Sequence, residues 1–227
     1  MLDSMQPQQL TQTEYESHIA GSTFRLAFIG MSNVGKSYRS KVLQNECGFM
    51  GYHVDEEIQK ALGFDTIDAI SHWLGYPNTP DYPAHEAQYL AQEARCTKVD
   101  FLDTKGKNLV FDTTGSVMYL DQEILEWLKE NSLLVHLDTG ESALGAMVEK
   151  FFEEPKPLVW NGFFEQQQGE GEHEALSRCY PKLLHDRLAR YRGLAHVNIP
   201  GEQLHDKSGP ETLAIIKSYL PLCAISV

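Results

Sequence analysis

The sequence lacks a long hydrophobic run and is poor in basic residues. No apolar stretch approaches the ~20 residues that a transmembrane helix needs, so we expect no membrane partner. The 227 residues include 19 Lys and Arg against 32 Asp and Glu, which gives a formal net charge of −13. A field of this sign repels the phosphate backbone of nucleic acids, so we expect no nucleic-acid partner either. A small anionic substrate is still compatible, because local basic groups can override the overall field.

Cysteine is also sparse. The four cysteines stand far apart and form no C-x-x-C pair: Cys47, Cys96, Cys179 and Cys223. This spacing argues against a disulfide framework and against a cysteine-based metal site, and it favours a reduced, cytoplasmic compartment. The first residues lack both the basic start and the apolar core of a secretory signal. We interpret residues 1–22 as a polar leader, partly disordered or forming a short helix, that precedes a single domain over residues 23–227.

Short apolar runs alternate with longer stretches that have helical spacing. The predicted strands are 24–29, 48–54, 108–112, 133–138 and 195–200. The predicted helices are 36–46, 55–62, 65–75, 83 to about 103, 119–131, 141–152 and 210–220. Strands separated by helices of this length imply crossover connections. The sequence therefore predicts a three-layer α/β sandwich around a parallel, five-stranded sheet.

Residues 30–37 read GMSNVGKS, which is the pattern G-x-x-x-x-G-K-S directly after the first predicted strand. In a strand–loop–helix context this Walker A pattern forms a phosphate-binding loop, or P-loop. Its two glycines let successive N–H groups point inward, its lysine can reach the β- and γ-phosphates, and its serine can ligate Mg²⁺. The predicted nucleotide-binding residues are Gly30, Ser32, Asn33, Val34, Gly35, Lys36, Ser37 and Tyr38.

Two acidic residues stand at the ends of predicted strands. Asp112 closes the run NLVFD, and Asp55 follows the run GYHV. In P-loop proteins an acidic residue at the end of a neighbouring strand holds the Mg²⁺ shell. Because there are two candidates, one can serve the metal while the other orients or deprotonates an acceptor hydroxyl.

The segment at about 153–175 interrupts the alternation with Pro, Gly, Gln and aromatic residues. A structureless stretch of this length inside a compact domain is often a lid or a binding loop, and an idle surface insertion is the alternative. Its aromatic residues Trp160, Phe163 and Phe164 are too apolar for an idle loop. They could close over a substrate or bury against a partner.

One interpretation of the P-loop is a GTPase. The loop and the D-T-T-G at 112–115 are similar to the first and third motifs of small GTPases. Such a protein also needs an N-K-x-D guanine-reading motif on a later strand, and none occurs in the chain. A GTPase-like P-loop protein is therefore the second alternative.

Over residues 24–220 the chain resembles the shikimate kinase family. The resemblance rests on the P-loop and on four further motifs, namely HVDEEIQKALG (53–63), TTGSV (113–117), EPKPLV (154–159) and RLARYRGLAHVNI (187–199). It implies a P-loop fold of the nucleoside-monophosphate-kinase type with a lid. It also implies an ATP- and Mg²⁺-dependent enzyme that transfers the γ-phosphate to a hydroxyl of a small polar acceptor.

The resemblance also implies roles for single residues. Asp55 matches the acidic residue that binds the acceptor hydroxyls and helps to accept the proton. Gly115 matches the last glycine of a turn against the substrate ring. Lys156 takes the place of a lid arginine over the transferring phosphate, and Arg187 matches the arginine that grips a substrate carboxylate. Lys36 is catalytic through the phosphates.

The chain departs from the family pattern mainly on the acceptor side. His53 replaces the first acidic residue of the family's pair, and Pro83 stands where a second substrate-gripping arginine is expected. Asp112 precedes the altered glycine turn, and together with Ser37 it is the predicted Mg²⁺ ligand, directly or through water. The acceptor is thus predicted to be shikimate or a related polyol or acid. The alternative is a binding or regulatory protein that kept the fold and lost the chemistry.

Overall fold

The structure, a computed structural model, describes residues 5–99, 102–153 and 158–223. Its centre is a five-stranded sheet, formed by β1 (Arg25–Ile29), β2 (Met50–His53), β3 (Leu109–Asp112), β4 (Leu133–Asp138) and β5 (Val197–Pro200). The strands lie in the order β2-β3-β1-β4-β5, and all four neighbouring pairs are parallel. Helices cover both faces. The predicted three-layer α/β sandwich with a parallel five-stranded sheet is confirmed.

The described residues form ten α-helices: α1 (Gln12–Ala20), α2 (Lys36–Cys47), α3 (Val54–Leu62), α4 (Ile67–Leu74), α5 (Tyr82–Thr97), α6 (Gln122–Asn131), α7 (Leu144–Glu153), α8 (Glu172–Leu194), α9 (Gly201–Leu204) and α10 (Gly209–Ser218). Within the described part of the chain, none of them is both long and apolar enough to cross a bilayer. Helix α8 is the main difference from the predicted elements. None of the predicted helices corresponds to α8, which carries Pro181 in its interior.

Alternate residues of the sheet face two separate cores. In β1, Leu26 and Phe28 pack with residues of α1, α2 and α10, whereas Ala27 and Ile29 pack with residues of α3 to α8. All four side chains are fully buried. This follows from the period of two in a strand, and burial on both faces explains why residues 26–29 are apolar without alternation.

The described part of the predicted leader forms helix α1 and packs on the domain. Thr11 caps the helix in a capping box with Glu14. Tyr15 is buried, stacks edge-on with Phe24 at 4.8 Å between ring centroids, and donates through its hydroxyl to the carbonyl of Leu213 at 3.0 Å. The helix thereby covers the core between β1 and α10.

The described part of the 153–175 segment is anchored to the domain. Leu158, Val159 and Trp160 are buried, which contrasts with the expected open loop. The backbone N–H groups of Trp160 and Asn161 donate to Glu86 Oε1 at 2.8 and 3.0 Å. From the sequence, the three aromatic side chains of this segment could contact either a substrate or a partner. In the structure they pack against the hydrophobic core of the chain itself: Trp160, Phe163 and Phe164.

Candidate active site

The P-loop joins β1 to α2 with the backbone that the sequence pattern predicts. Gly30 and Gly35 have φ of +144° and +95°, and a Cβ on Gly30 would lie 3.1 Å from the carbonyl oxygen of Leu137. These positions therefore favour glycine. Lys36 opens α2 and is buried, and its Nζ donates to the carbonyls of Gly30 and Met31 at 2.9 Å each. The ammonium thus lies in the curl of the loop, next to the N-terminus of a 12-residue helix.

Two adjoining hollows open beside the loop. The first, of about 270 Å³, brings together residues from four elements of the sequence prediction: Ser32, Ser37, Asp55, Asp112, Gly115 and Arg187. The second, of about 330 Å³, is lined by the P-loop itself: Ser32, Asn33, Gly35, Lys36, Ser37 and Tyr38. Asp55 and Gly115 line both hollows, so the two spaces meet beside these residues. Lys150 of α7 also lines the second hollow.

A third hollow, of about 730 Å³, lies on the other side of the loop at the ends of β4 and β5. Val34 is the predicted nucleotide-binding residue that lines it. Its wall includes Asp138, whose carboxylate accepts from Arg192 Nε at 2.8 Å and from the N–H of Gly140 at 2.8 Å. Val34 thus connects this hollow to the P-loop.

Asp112 and His53 lie side by side at the ends of β3 and β2. The two strands pair in parallel with His53 opposite Asp112, and His53 Nδ1 lies 3.1 Å from Asp112 Oδ2. This hydrogen bond raises the pKa of His53. The other oxygen, Asp112 Oδ1, is buried and has no hydrogen-bond partner among the described residues.

These residues fit a magnesium ion. A buried carboxylate oxygen without a hydrogen bond is costly unless a ligand or water satisfies it. Asp112 and the hydroxyl-bearing Ser37 line the same hollow, and both offer the oxygen ligands that Mg²⁺ prefers. The donor set and the orphaned oxygen are therefore compatible with the metal that accompanies a nucleotide.

Gly115 lies where the P-loop and the acceptor side meet. A Cβ on Gly115 would lie 2.6 Å from Ser32 Oγ, so a side chain at this position would require Ser32 to move. Tyr191 donates through its hydroxyl to the carbonyl of Gly115 at 3.0 Å. The turn therefore presents backbone, rather than a side chain, to the hollow.

Arg187 is a buried guanidinium that lines the first hollow. It donates through Nη2 to the carbonyl of Val159 at 2.7 Å, and its cationic carbon lies 5.5 Å from the ring centroid of Tyr119. Within the described ranges no carboxylate forms an ion pair with it, and its Nε has no hydrogen-bond partner. A buried cation of this kind favours an anion in the hollow that it lines. Lys156, the remaining predicted catalytic residue, lies outside the described residues.

Glu93 is a buried carboxyl group that the sequence did not single out. It lies on α5 under the turn that carries Gly115, and it accepts hydrogen bonds from the hydroxyls of Thr114 and Ser116, the latter at 2.6 Å. Burial raises the pKa of Glu93 to about 7, and the charge of Asp55 adds to this rise. The sequence of α5 alone does not reveal this buried carboxyl group, because the two hydroxyls that bond to it come from a distant segment.

We expect the Glu93→Gln variant to gain stability over the wild type as the pH rises. The pKa of Glu93 is higher in the folded chain than in the unfolded one, so its contribution to stability is complete below the unfolded pKa. That contribution is lost as the pH rises toward 7, and the loss amounts to about 3 kcal/mol at roughly 1.4 kcal/mol per pKa unit. Urea unfolding of both proteins at pH 5 and pH 8 measures the difference. The same free-energy difference at both pH values would contradict the burial argument.

No protein-family model and no curated protein sequence matches the chain. Solved structures do. The shikimate kinase of Acinetobacter baumannii in complex with shikimate matches with a TM-score of 0.56 at 19% identity, over 89% of this chain and 93% of that one. The shikimate kinase of Bacteroides thetaiotaomicron matches with a TM-score of 0.54 at 13% identity, over 86% and 97%. The chain has the fold of the shikimate kinases.

A third match, the shikimate kinase of Aquifex aeolicus, covers 85% of this chain and 94% of that one at 20% identity, with a TM-score of 0.50. At these identities the comparison concerns the fold. The resemblance that the sequence motifs predict is therefore confirmed at that level. The shikimate-kinase fold places the P-loop, the acidic strand ends and Arg187 around one cleft, as described above.

Proposed function

We propose that the protein is an ATP-dependent kinase that phosphorylates a hydroxyl of a small polar acceptor, either shikimate or a related polyol or sugar acid. One observation carries the proposal. The hollow beside the P-loop is lined both by phosphate-side residues, Ser32 and Ser37, and by a carboxylate, Asp55, that faces the same space. The fold shared with shikimate kinases supports the same reaction class.

The P-loop binds the triphosphate. Its backbone N–H groups and the start of α2 favour negative charge, and Lys36 adds a full positive charge within the curl. Ser37 and Asp112 would hold Mg²⁺, which neutralises charge on the β- and γ-phosphates when bound. Phosphoryl transfer asks the protein mainly for such positioning and charge stabilisation.

Asp55 and Arg187 bind and orient the acceptor. Asp55 lines both hollows, so its carboxylate can orient an acceptor hydroxyl toward the γ-phosphate and take its proton. Arg187 would receive an anionic group of the acceptor, since its buried charge lacks an ion-pair partner among the residues that the structure describes. Gly115 keeps the space between them free of side chains.

A further cation over the transferring phosphate completes the proposed site. We assign this role to Lys156, and Lys150 stands at the phosphate-side hollow as a second cation. The proposed lid is the segment around Lys156, and its closure would exclude water and prevent idle hydrolysis of ATP. We also expect a cytoplasmic protein, since the phosphoryl donor is an intracellular nucleotide.

The reaction is tested by incubating the purified protein with ATP, Mg²⁺ and single acceptors, and by measuring ADP and the phosphorylated product. The panel comprises shikimate, gluconate and other sugar acids, and neutral polyols of the same size. We expect product with at least one carboxylate-bearing acceptor. Nucleotide binding without product from any acceptor would favour the alternative of a binding or regulatory protein.

We expect the Arg187→Met variant to lose affinity for a carboxylate-bearing acceptor. Methionine keeps much of the apolar stem, whereas the charge and its hydrogen bonds disappear. Loss of one charge-assisted contact of 1.5–3 kcal/mol corresponds to a rise of about 10- to 100-fold in the acceptor KM. The KM for ATP serves as the internal control, and an equal rise in both constants would speak against an acceptor role.

A further inference from the structure

A chain of hydrogen bonds runs from helix α2 to the predicted metal ligand. The side-chain nitrogen of Gln44 lies 3.2 Å from Ser40 Oγ and 3.1 Å from His53 Nε2. On the other side of the ring, His53 Nδ1 lies 3.1 Å from Asp112 Oδ2. His53 replaces a family carboxylate, so the reaction as proposed gives this residue no direct task.

The direction of these bonds follows from the groups involved. An amide nitrogen only donates, so Gln44 donates to both of its neighbours and His53 Nε2 accepts. The hydrogen of the neutral ring is then on Nδ1, which donates to Asp112 Oδ2. Protonation of the ring leaves that Nδ1–H in place, so the hydrogen bond to Asp112 is present in both charge states of His53.

The backbone around His53 is shaped to admit this arrangement. A Cβ on Gly51 would lie 2.2 Å from Gln44 Cδ, so glycine in β2 leaves the space that the Gln44 amide occupies. The parallel register of β2 and β3 places His53 directly opposite Asp112. Gln44 of α2 and the pairing of β2 with β3 therefore together place His53 Nδ1 against one oxygen of the Asp112 carboxylate.

We propose that His53, held by Gln44, is a positioning residue that occupies Asp112 Oδ2 and so presents Oδ1 to the Mg²⁺ of the bound nucleotide. Oδ1 is buried and has no hydrogen-bond partner among the described residues, whereas Oδ2 is taken. A carboxylate fixed in this way binds a metal without first losing rotational freedom, and partners of this kind tune metal affinity. The inference rests on the proposed nucleotide site, and it explains why a histidine can stand where the family has a carboxylate.

Two substitutions of His53 separate the hydrogen bond from the packing of the ring. His53→Leu removes the donor and keeps an apolar side chain of moderate size. His53→Asn keeps a donor nitrogen at the branch position of Nδ1, because the amide nitrogen of asparagine is also two bonds from Cβ. Binding of Mn²⁺ in the presence of ADP is followed by the electron paramagnetic resonance signal of the free ion, and ADP affinity in EDTA is measured by calorimetry. Neither readout requires turnover.

We expect His53→Leu to weaken Mn²⁺ binding in the ADP complex by about 10- to 100-fold, the usual effect of losing an outer partner of a metal ligand. ADP affinity in EDTA should be unchanged, and His53→Asn should retain most of the wild-type Mn²⁺ affinity. Gln44→Met leaves the ring in place without its second partner, so we expect a smaller loss in the same direction. Thermal melting of each variant verifies that it is folded.

Three results would overturn the inference. Wild-type Mn²⁺ affinity in His53→Leu would show that Asp112 needs no partner. An equal loss in His53→Asn and His53→Leu would show that ring packing, rather than the donated hydrogen bond, matters. Absence of ADP binding by the wild type, with or without metal, would remove the nucleotide site itself and the proposed function with it, so the two failures are distinguishable.

Discussion

Replacement of Lys36 by methionine is expected to lower kcat by about 10²- to 10³-fold, the usual effect of removing one preorganised donor from a charge-stabilising site. Methionine keeps the length of the buried stem, so the packing of α2 is preserved while the ammonium is lost. That ammonium lies within the P-loop, where it donates to the carbonyls of Gly30 and Met31. The measurement is ADP formation with the best acceptor of the panel under saturating ATP.

Lys60→Met is the matched control for Lys36→Met. Lys60 is an exposed lysine on α3 that pairs with Glu57, so the same substitution should leave turnover at the wild-type level. Retention of full activity by Lys36→Met would show that the P-loop lysine does not take part in phosphoryl transfer. Partner binding that survives Lys36→Met in a protein without turnover would instead favour the regulatory alternative.

The P-loop and the strand ends can be predicted because their signals are local. The loop is defined by eight consecutive residues, and Asp55 and Asp112 are marked by the apolar strands before them. In a parallel sheet the carboxyl ends of the strands lie at one edge, so these residues share one cleft in the structure as in the prediction.

The residues that hold the site residues in place contact them from distant parts of the chain. His53 meets Asp112 across 59 positions, and Thr114 meets Glu93 across 21. Neither pairing can be recognised from the sequence, because the residues around each partner look like those of an ordinary turn or helix. The same holds for Glu86, which holds the N–H groups of Trp160 and Asn161 from a helix more than 70 positions away.

The position of Glu86 also bears on the altered acceptor side. The resemblance to shikimate kinases predicts a second arginine beside Pro83, and the first turn of α5 is instead in contact with other parts of the chain. The hydroxyl of Tyr82 donates to Glu86, and the carbonyl oxygen of Leu158 lies 3.2 Å from the same hydroxyl. Contacts of Tyr82 and Glu86 thus anchor the segment after residue 157 to the first turn of α5. The cations that line the first hollow are the buried Arg187 and the exposed Lys41.

Replacement of Asp55 by asparagine is expected to lower kcat by about 10²- to 10⁴-fold, the range for loss of a general base. Asparagine keeps the size of the side chain, and its carbonyl oxygen can still accept a hydrogen bond, but it is too weak a base to take the acceptor proton. Because Asp55 is assigned to the acceptor, ADP affinity should stay at the wild-type level. Glu57→Gln removes a carboxylate from the same helix, outside both hollows, and should leave kcat unchanged.

A second readout of Asp55 does not require a known acceptor. The charge of Asp55 raises the pKa of Glu93, so Asp55→Asn should lower that pKa and shift the pH dependence of stability toward lower pH. Unfolding free energies of Asp55→Asn and Glu57→Gln across pH 5 to 8 test this coupling. A lost kcat together with an unshifted stability profile would keep Asp55 in proton transfer and contradict its electrostatic coupling to Glu93. A shifted profile with an intact kcat would place the carboxylate in the hollow and remove it from proton transfer.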